Sequence, residues 1–242
     1  MLVAKIYDPL REAAAYEELG AAAVDGLLVP KYHGSWSFNL ALPCSQGPRP
    51  VRMILMEWVS GSSLQSLINS QQQLKRFSPQ QRLLILARAM EVECRVSFCG
   101  VRHGDFAPRD ILLEDAEMNP RALLVDFDHS AVFSRRGCRY KRQNTTRPIS
   151  PRYRYCGPCP NELLRWVPEP HRSRPACFKG WLKNQLEHSS EFAYRKEGNI
   201  KLLDYDEPVE IVQPHPDDGI VPSIESVVVD KFRHQSYLTT LL

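Results

Sequence analysis

One stretch of this chain gathers groups able to do chemistry: His103-Gly104-Asp105-Phe106-Ala107-Pro108-Arg109-Asp110-Ile111-Leu112-Leu113. Asp126, sixteen residues beyond Asp110, lies in a second such stretch, Val125-Asp126-Phe127-Asp128. Asp105 and Asp110 bracket a tight loop that enters a β-prone run, and Asp126 ends the next run. If the two runs pair, three carboxylates meet at one end of a hairpin. Anions placed so repel one another unless their pKa values shift or a cation sits between them. A hard divalent metal accompanied by phosphate is the natural occupant.

The rest of the chain must hold those groups in place. Residues 3–7 alternate about Lys5 and read as a short strand. Asp8-Pro9 punctuates it, and residues 10–24 are Ala-rich and helix-forming, with Glu12, Ala15, Leu19 and Ala22 on one stripe. Residues 27–32 and 51–59 are β-rich runs that predict strands, and Ser60-Gly61-Ser62-Ser63 breaks the second before a short helix over 64–70. Ser78-Pro79 suits an N-cap and first helical position for a helix running to about Cys99, where Gly100 ends it. Residues 111–113 and 122–127 fit a hairpin about Met118-Asn119-Pro120. Residues 135–154 then carry eight Arg and Lys and no acid, and seven of the 19 prolines crowd between Pro148 and Pro175, which predicts irregular chain. Helices are expected at 161–167 and about 179–196, and the tail from Leu203 is acidic, then polar.

At 242 residues the chain has length for one large domain or two small ones, and its 43% apolar and 24% charged content is that of a globular protein. Its 31 Lys and Arg against 28 Asp and Glu leave a formal charge of +3, too balanced to make the whole chain a nucleic-acid binder. No apolar run approaches membrane-spanning length. The start, MLVAKIYDPL, reads unlike a secretory leader, so the seven cysteines are expected as reduced thiols and the protein as cytoplasmic or nuclear.

HGDFAPRDILL followed by VDFD resembles the catalytic loop and metal-binding motif of the protein-kinase-like superfamily, its HGD form lying nearer the aminoglycoside/choline phosphotransferases and fungal kinase-like proteins. Arg52 to Gly61 looks like the last small-lobe strand running into the hinge, and Val3-Ala4-Lys5-Ile6-Tyr7 like the strand with the phosphate-binding lysine. The resemblance covers roughly residues 3–130, with motifs in the family's order. It implies an α+β, two-lobed fold: a reduced small lobe over 1–59, a mainly helical large lobe over 60–202 and a tail over 203–242. It also implies ATP and Mg2+ as cofactors. Asp105 would take or orient the proton of the acceptor hydroxyl, and His103 would brace the loop. Asp126 and Asp110 would hold Mg2+, and Lys5 would meet the α- and β-phosphates. Glu12 is the best match for the partner of Lys5, although Glu17 and Glu18 lie on the same helix and propensity does not choose among them. Adenine would meet the backbone of Glu57 and Val59, with Met56 lining its pocket.

The departures from the family are specific. No residues before Lys5 form a glycine-rich loop, so the small lobe is either truncated or reduced, with Lys5 on a sheet edge. Asp110 stands for Asn, Asp128 for Gly, Ala107 for the Lys of Ser/Thr kinases and Gly104 for the Arg that reads activation-loop phosphorylation. A protein acceptor is therefore not implied, and small-molecule and protein hydroxyls both stay open. The rival reading is an inactive pseudokinase serving as a binding module. Cys156-Gly157-Pro158-Cys159 matches a thiol redox tetrapeptide, and Cys138, His171 or Cys177 could complete a zinc set, but a turn in a Pro-rich loop accounts for it better. The basic run reads as a solvated loop beside the cleft, where Arg139, Lys141 and Arg142 could attract an anionic acceptor.

Overall fold

The alternation about Lys5 and the β-rich run before Trp58 become paired strands. β1 (Leu2–Tyr7) runs antiparallel to β3 (Arg49–Glu57), with Lys5 opposite Ile54 and Val3 opposite Met56. β2 (Tyr32–Leu40) pairs with the other side of β3, so the order is β1-β3-β2 and the lysine strand is an edge of this sheet. Between β1 and β2 lies α1 (Leu10–Ala21), whose Ala13, Ala15, Tyr16 and Leu19 are wholly buried. Tyr16 meets the sheet: its hydroxyl lies 3.8 Å from the Met56 sulfur and its ring 5.7 Å from that of Tyr32.

The remainder is built on α4 (Pro79–Phe98). Ser78 Oγ accepts from Gln81 N–H at 3.3 Å while Gln81 Oε1 accepts from Ser78 N–H at 2.8 Å, a reciprocal cap worth about 1 kcal/mol. The buried side of α4, which includes Leu86, Ala89, Met90 and Val96, packs near a hairpin formed by β6 (Ile111–Glu114) and β7 (Arg121–Leu124). β4 (Gly61–Ser63) extends that hairpin to a three-stranded sheet, and α2 (Leu64–Asn69) and α3 (Gln71–Leu74) follow it. β5 (Val101–Arg102) pairs with β8 (Ala131–Val132). α5 (Pro151–Arg154) and α6 (Pro175–Leu186) complete the mixed α+β architecture.

This computed structural model describes residues 1–193 except 8–9, 41–48, 115–119, 143, 156, 158 and 187–188. The expected tail over 203–242 lies outside the described residues. Among those described, no helix is long and apolar enough to cross a membrane.

Four local expectations need correction. Residues 27–32 do not form a strand: the Leu28 carbonyl accepts from Leu124 N–H at 3.0 Å, Gly26 N–H donates to Val29 at 2.7 Å, and buried Pro30 has no N–H for a ladder. The strand starts only at Tyr32. Ser60-Gly61-Ser62-Ser63 does not simply break the chain, because Gly61–Ser63 pairs with Leu112–Glu114; a Cβ at Gly61 would strike the Leu113 carbonyl, so glycine permits the approach. Over 161–167 only Asn161–Leu163 is helical, as a 3-10 turn, since Pro168 disfavours helix before it and Trp166 turns inward to donate to the Arg82 carbonyl at 2.8 Å. The helix expected over 179–196 starts earlier, α6 covering Pro175–Leu186, and residues 187–188 and 194–196 of that span lie outside the described residues; Phe192 is buried beneath Arg95.

Candidate functional site

α1 carries Glu12 into the interior, where it has no exposed surface. From the sheet edge, Lys5 Nζ lies 3.0 Å from Glu12 Oε2 and 3.3 Å from Oε1, and it also pairs with Asp126 Oδ1. Glu17 and Glu18 pair elsewhere, with Arg135 and Arg142, so the choice among the three acids falls to Glu12. One ammonium thus serves two carboxylates. Burial favours neutral Lys5, but Glu12 and Asp126 outweigh it and the lysine pKa is raised. Burial pushes the Glu12 carboxyl up to about 7 against the pull of Lys5, and Asp126 adds to the rise.

Asp126 has φ 65°, a left-handed conformation uncommon for a residue with a Cβ and better tolerated by Asp than by most. Its side chain reaches Lys5, while the following Phe127 N–H donates to Glu12 Oε1 at 3.4 Å. The turn therefore meets both members of the ion pair, one through its side chain and one through its backbone.

The loop from His103 to Asp110 meets the same turn. His103 is fully buried, Nε2 lies 2.9 Å from the Val125 carbonyl, and Nδ1 accepts from Asp105 N–H at 3.3 Å. Those two bonds together require a neutral ring protonated on Nε2, and burial lowers its pKa accordingly. Val125 N–H donates to the Asp110 carbonyl at 3.0 Å, which ties the loop to the segment around Asp126. Asp105 pairs with Arg109, whose Nε also lies 3.6 Å from Asp110. Asp110 is 3% exposed, and burial, with Asp126 next in effect, pushes its carboxyl up to about 8; Asp105 and Asp128 raise it further against Arg109. Asp126, Asp105 and Asp128 thus all lie near enough to Asp110 to raise its pKa.

Two features of this region were not read from the sequence. Gly104 has φ 85°, and a Cβ there would run into the His129 carbonyl, so the glycine lets the loop and the turn after Asp126 touch. A column of rings also crosses the molecule: Tyr32 to Tyr16 at 5.7 Å, Tyr16 to Phe127 at 5.2 Å and Phe127 to His103 at 4.7 Å. It joins the sheet, α1, the Asp126 turn and the loop in one line of packing. Only Tyr16, one helical turn after Glu12, carried a signal for this.

Of the expected adenine contacts, Met56 shares the face of Lys5 and is buried against Tyr16. The Glu57 backbone N–H donates to the Lys31 carbonyl at 2.8 Å, its side chain accepts from Lys31 N–H at 3.1 Å, and Val59 lies just beyond the strand, 8% exposed.

Among the described residues no group of three or more His, Cys, Asp and Glu is arranged to hold a metal. Mg2+ needs no such cage, because it keeps waters and is held by one or two carboxylates together with substrate phosphates. Asp126 raises the Asp110 pKa, a repulsion that a cation would relieve, and Lys5 already pairs with Asp126. No family model and no curated protein matches this chain.

The other two candidate motifs fare differently. Cys156 and Pro158 lie outside the described residues, while Cys159 is 4% exposed and burial pushes its thiol up to about 12, the reverse of an activated thiolate. The basic run is largely solvated, as expected: Arg135, Arg136, Arg139, Lys141, Arg142 and Arg147 are exposed. Arg135 pairs with Glu17 and Arg142 with Glu18, both on α1, and Arg154 is drawn inside to Glu93.

Proposed function

We propose that this chain is an ATP- and Mg2+-dependent phosphotransferase of protein-kinase-like, two-lobed type, acting on a hydroxyl. The observation that carries the reading is the placement of Lys5 between Glu12 and Asp126, with Asp105 and Asp110 gathered at the same end of the β6–β7 hairpin. In this reading Lys5 binds the α- and β-phosphates, Asp126 and Asp110 hold Mg2+, and Asp105 takes the proton of the acceptor hydroxyl. Magnesium supplies charge neutralisation on the transferred group. The chain supplies position: His103 fixes the Asp105 backbone, and Glu12 keeps Lys5 aimed. Met56, Glu57 and Val59 would receive the adenine. Neutral His103 adds no positive charge beside Asp105, so Arg109 is the counter-ion that the acceptor must displace.

A second reading, a pseudokinase that binds without turnover, draws on the same contacts. Lys5 already neutralises Asp126 and Arg109 already neutralises Asp105, and the lysine strand is a sheet edge. A thermal-shift series with ATP, with and without Mg2+, tests the proposal. We expect a metal-dependent rise in Tm that disappears in Asp126→Ala, with phosphate release from Mg·ATP that disappears in Asp105→Asn. A Tm rise without turnover favours the pseudokinase. No rise in either condition overturns both readings.

A further inference from the structure

Behind the loop that carries Asp105 lies a second charged centre that the proposed chemistry does not use. Glu93, on the buried side of α4, pairs through Oε1 with Arg154 at the end of α5, and its Oε2 accepts from the Tyr155 hydroxyl at 3.1 Å. Both partners of the ion pair are closed off, with side chains 8% and 4% exposed. The Tyr155 ring lies 5.7 Å from that of Phe106, the residue directly after Asp105. Two buried charges are no better for stability than apolar side chains of the same shape, so their use here points to a demand for fixed position. Asp105 is thereby held from both sides: by His103 on its backbone N–H, and by Phe106 backed with Tyr155.

We infer that Glu93, Arg154 and Tyr155 form a clamp of positioning residues that fixes Phe106, and through it Asp105, for proton transfer. This rests on Asp105 being the base of the proposed reaction.

The test uses the full chain with Tyr155→Leu, Tyr155→Phe and Glu93→Gln, and two readouts. The first is phosphate release from Mg·ATP with water as acceptor. Tyr155→Leu should lower kcat on the order of 10- to 100-fold, as misplaced groups do, and leave KM for ATP within about twofold, because the nucleotide contacts lie elsewhere. The second readout is amide hydrogen exchange over residues 103–107, which should speed up about tenfold in Tyr155→Leu and less in Tyr155→Phe, with α4 unchanged. A fall in kcat matched by an equal change in KM, or wild-type exchange at 103–107 in a folded Tyr155→Leu, overturns the clamp. If Tyr155→Leu does not fold, wild-type exchange in both Tyr155→Phe and Glu93→Gln overturns it. A wild-type protein that releases no phosphate overturns the phosphotransferase reading alone, and the exchange measurement still decides the clamp.

Discussion

Two helices each send a carboxylate into the interior to meet a cation, one seven residues away and one 61, and the two centres differ in openness. Glu12 of α1 meets Lys5, which is 18% exposed and shared with an Asp126 that is 33% exposed. Glu93 of α4 meets Arg154, and both are nearly sealed. At the first centre there are more acids than cations, and burial leaves Glu12 and Asp110 ready to take protons near neutral pH. At the second, each oxygen of Glu93 has its own donor. Unbalanced charge and an opening at the first centre are what the proposed ligand binding would need, while the second centre is balanced and closed.

The largest effect that could break this comparison is loss of one partner at the closed centre. Glu93→Leu removes the carboxylate paired with buried Arg154, which should cost about 3–5 kcal/mol in denaturant unfolding, and Arg154→Met added to it should recover much of that loss. Lys5→Met should cost less, about 1–2 kcal/mol at pH 6, because Glu12 can take up a proton once its partner is gone. Equal losses at the two centres would remove the distinction.

A smaller effect sharpens the comparison through pH. Asp110 binds its proton more tightly folded than unfolded, so the stabilisation present below its ordinary value near 3.8 is lost as pH rises through about 8. Glu12 acts in the same direction over a narrower range. His103, whose pKa is lowered, acts in the opposite one. Metal-free protein should therefore unfold more easily at pH 8 than the Asp110→Asn variant, relative to each at pH 5, by on the order of 2 kcal/mol. The same pH slope in both proteins would show that burial and the neighbouring carboxylates do not raise the Asp110 pKa.

The loop and hairpin were legible because their information is local. The spacing from His103 to Asp110 and the two apolar runs around residues 118–120 determine which strands pair, and the acids follow from that pairing. Helix α4 was legible for the same reason, since Ser78, Pro79 and Gly100 mark its ends. Residues 27–32 misled because buried Val29 packs without a strand ladder, with Leu27 exposed, the Leu28 carbonyl bonded to β7 and no ladder beside Pro30. The ring column was hidden because Tyr32, Tyr16, Phe127 and His103 come from four segments with no shared periodicity. The ion pairs of the basic run were hidden in a third way: it contains no acid, and its partners Glu17, Glu18 and Glu93 lie far earlier in the chain. Charge within a window says little about charge across a fold.

The central claim is that Lys5, Asp110 and Asp126 form one magnesium–nucleotide site. Calorimetric titration of ATP into the wild-type protein and into Lys5→Met and Asp126→Ala, each with and without Mg2+, tests it most directly. The account predicts binding that Mg2+ strengthens in the wild type, an affinity weakened in Lys5→Met, and no Mg2+ dependence in Asp126→Ala. Equal affinity in all three proteins, indifferent to the metal, would contradict it.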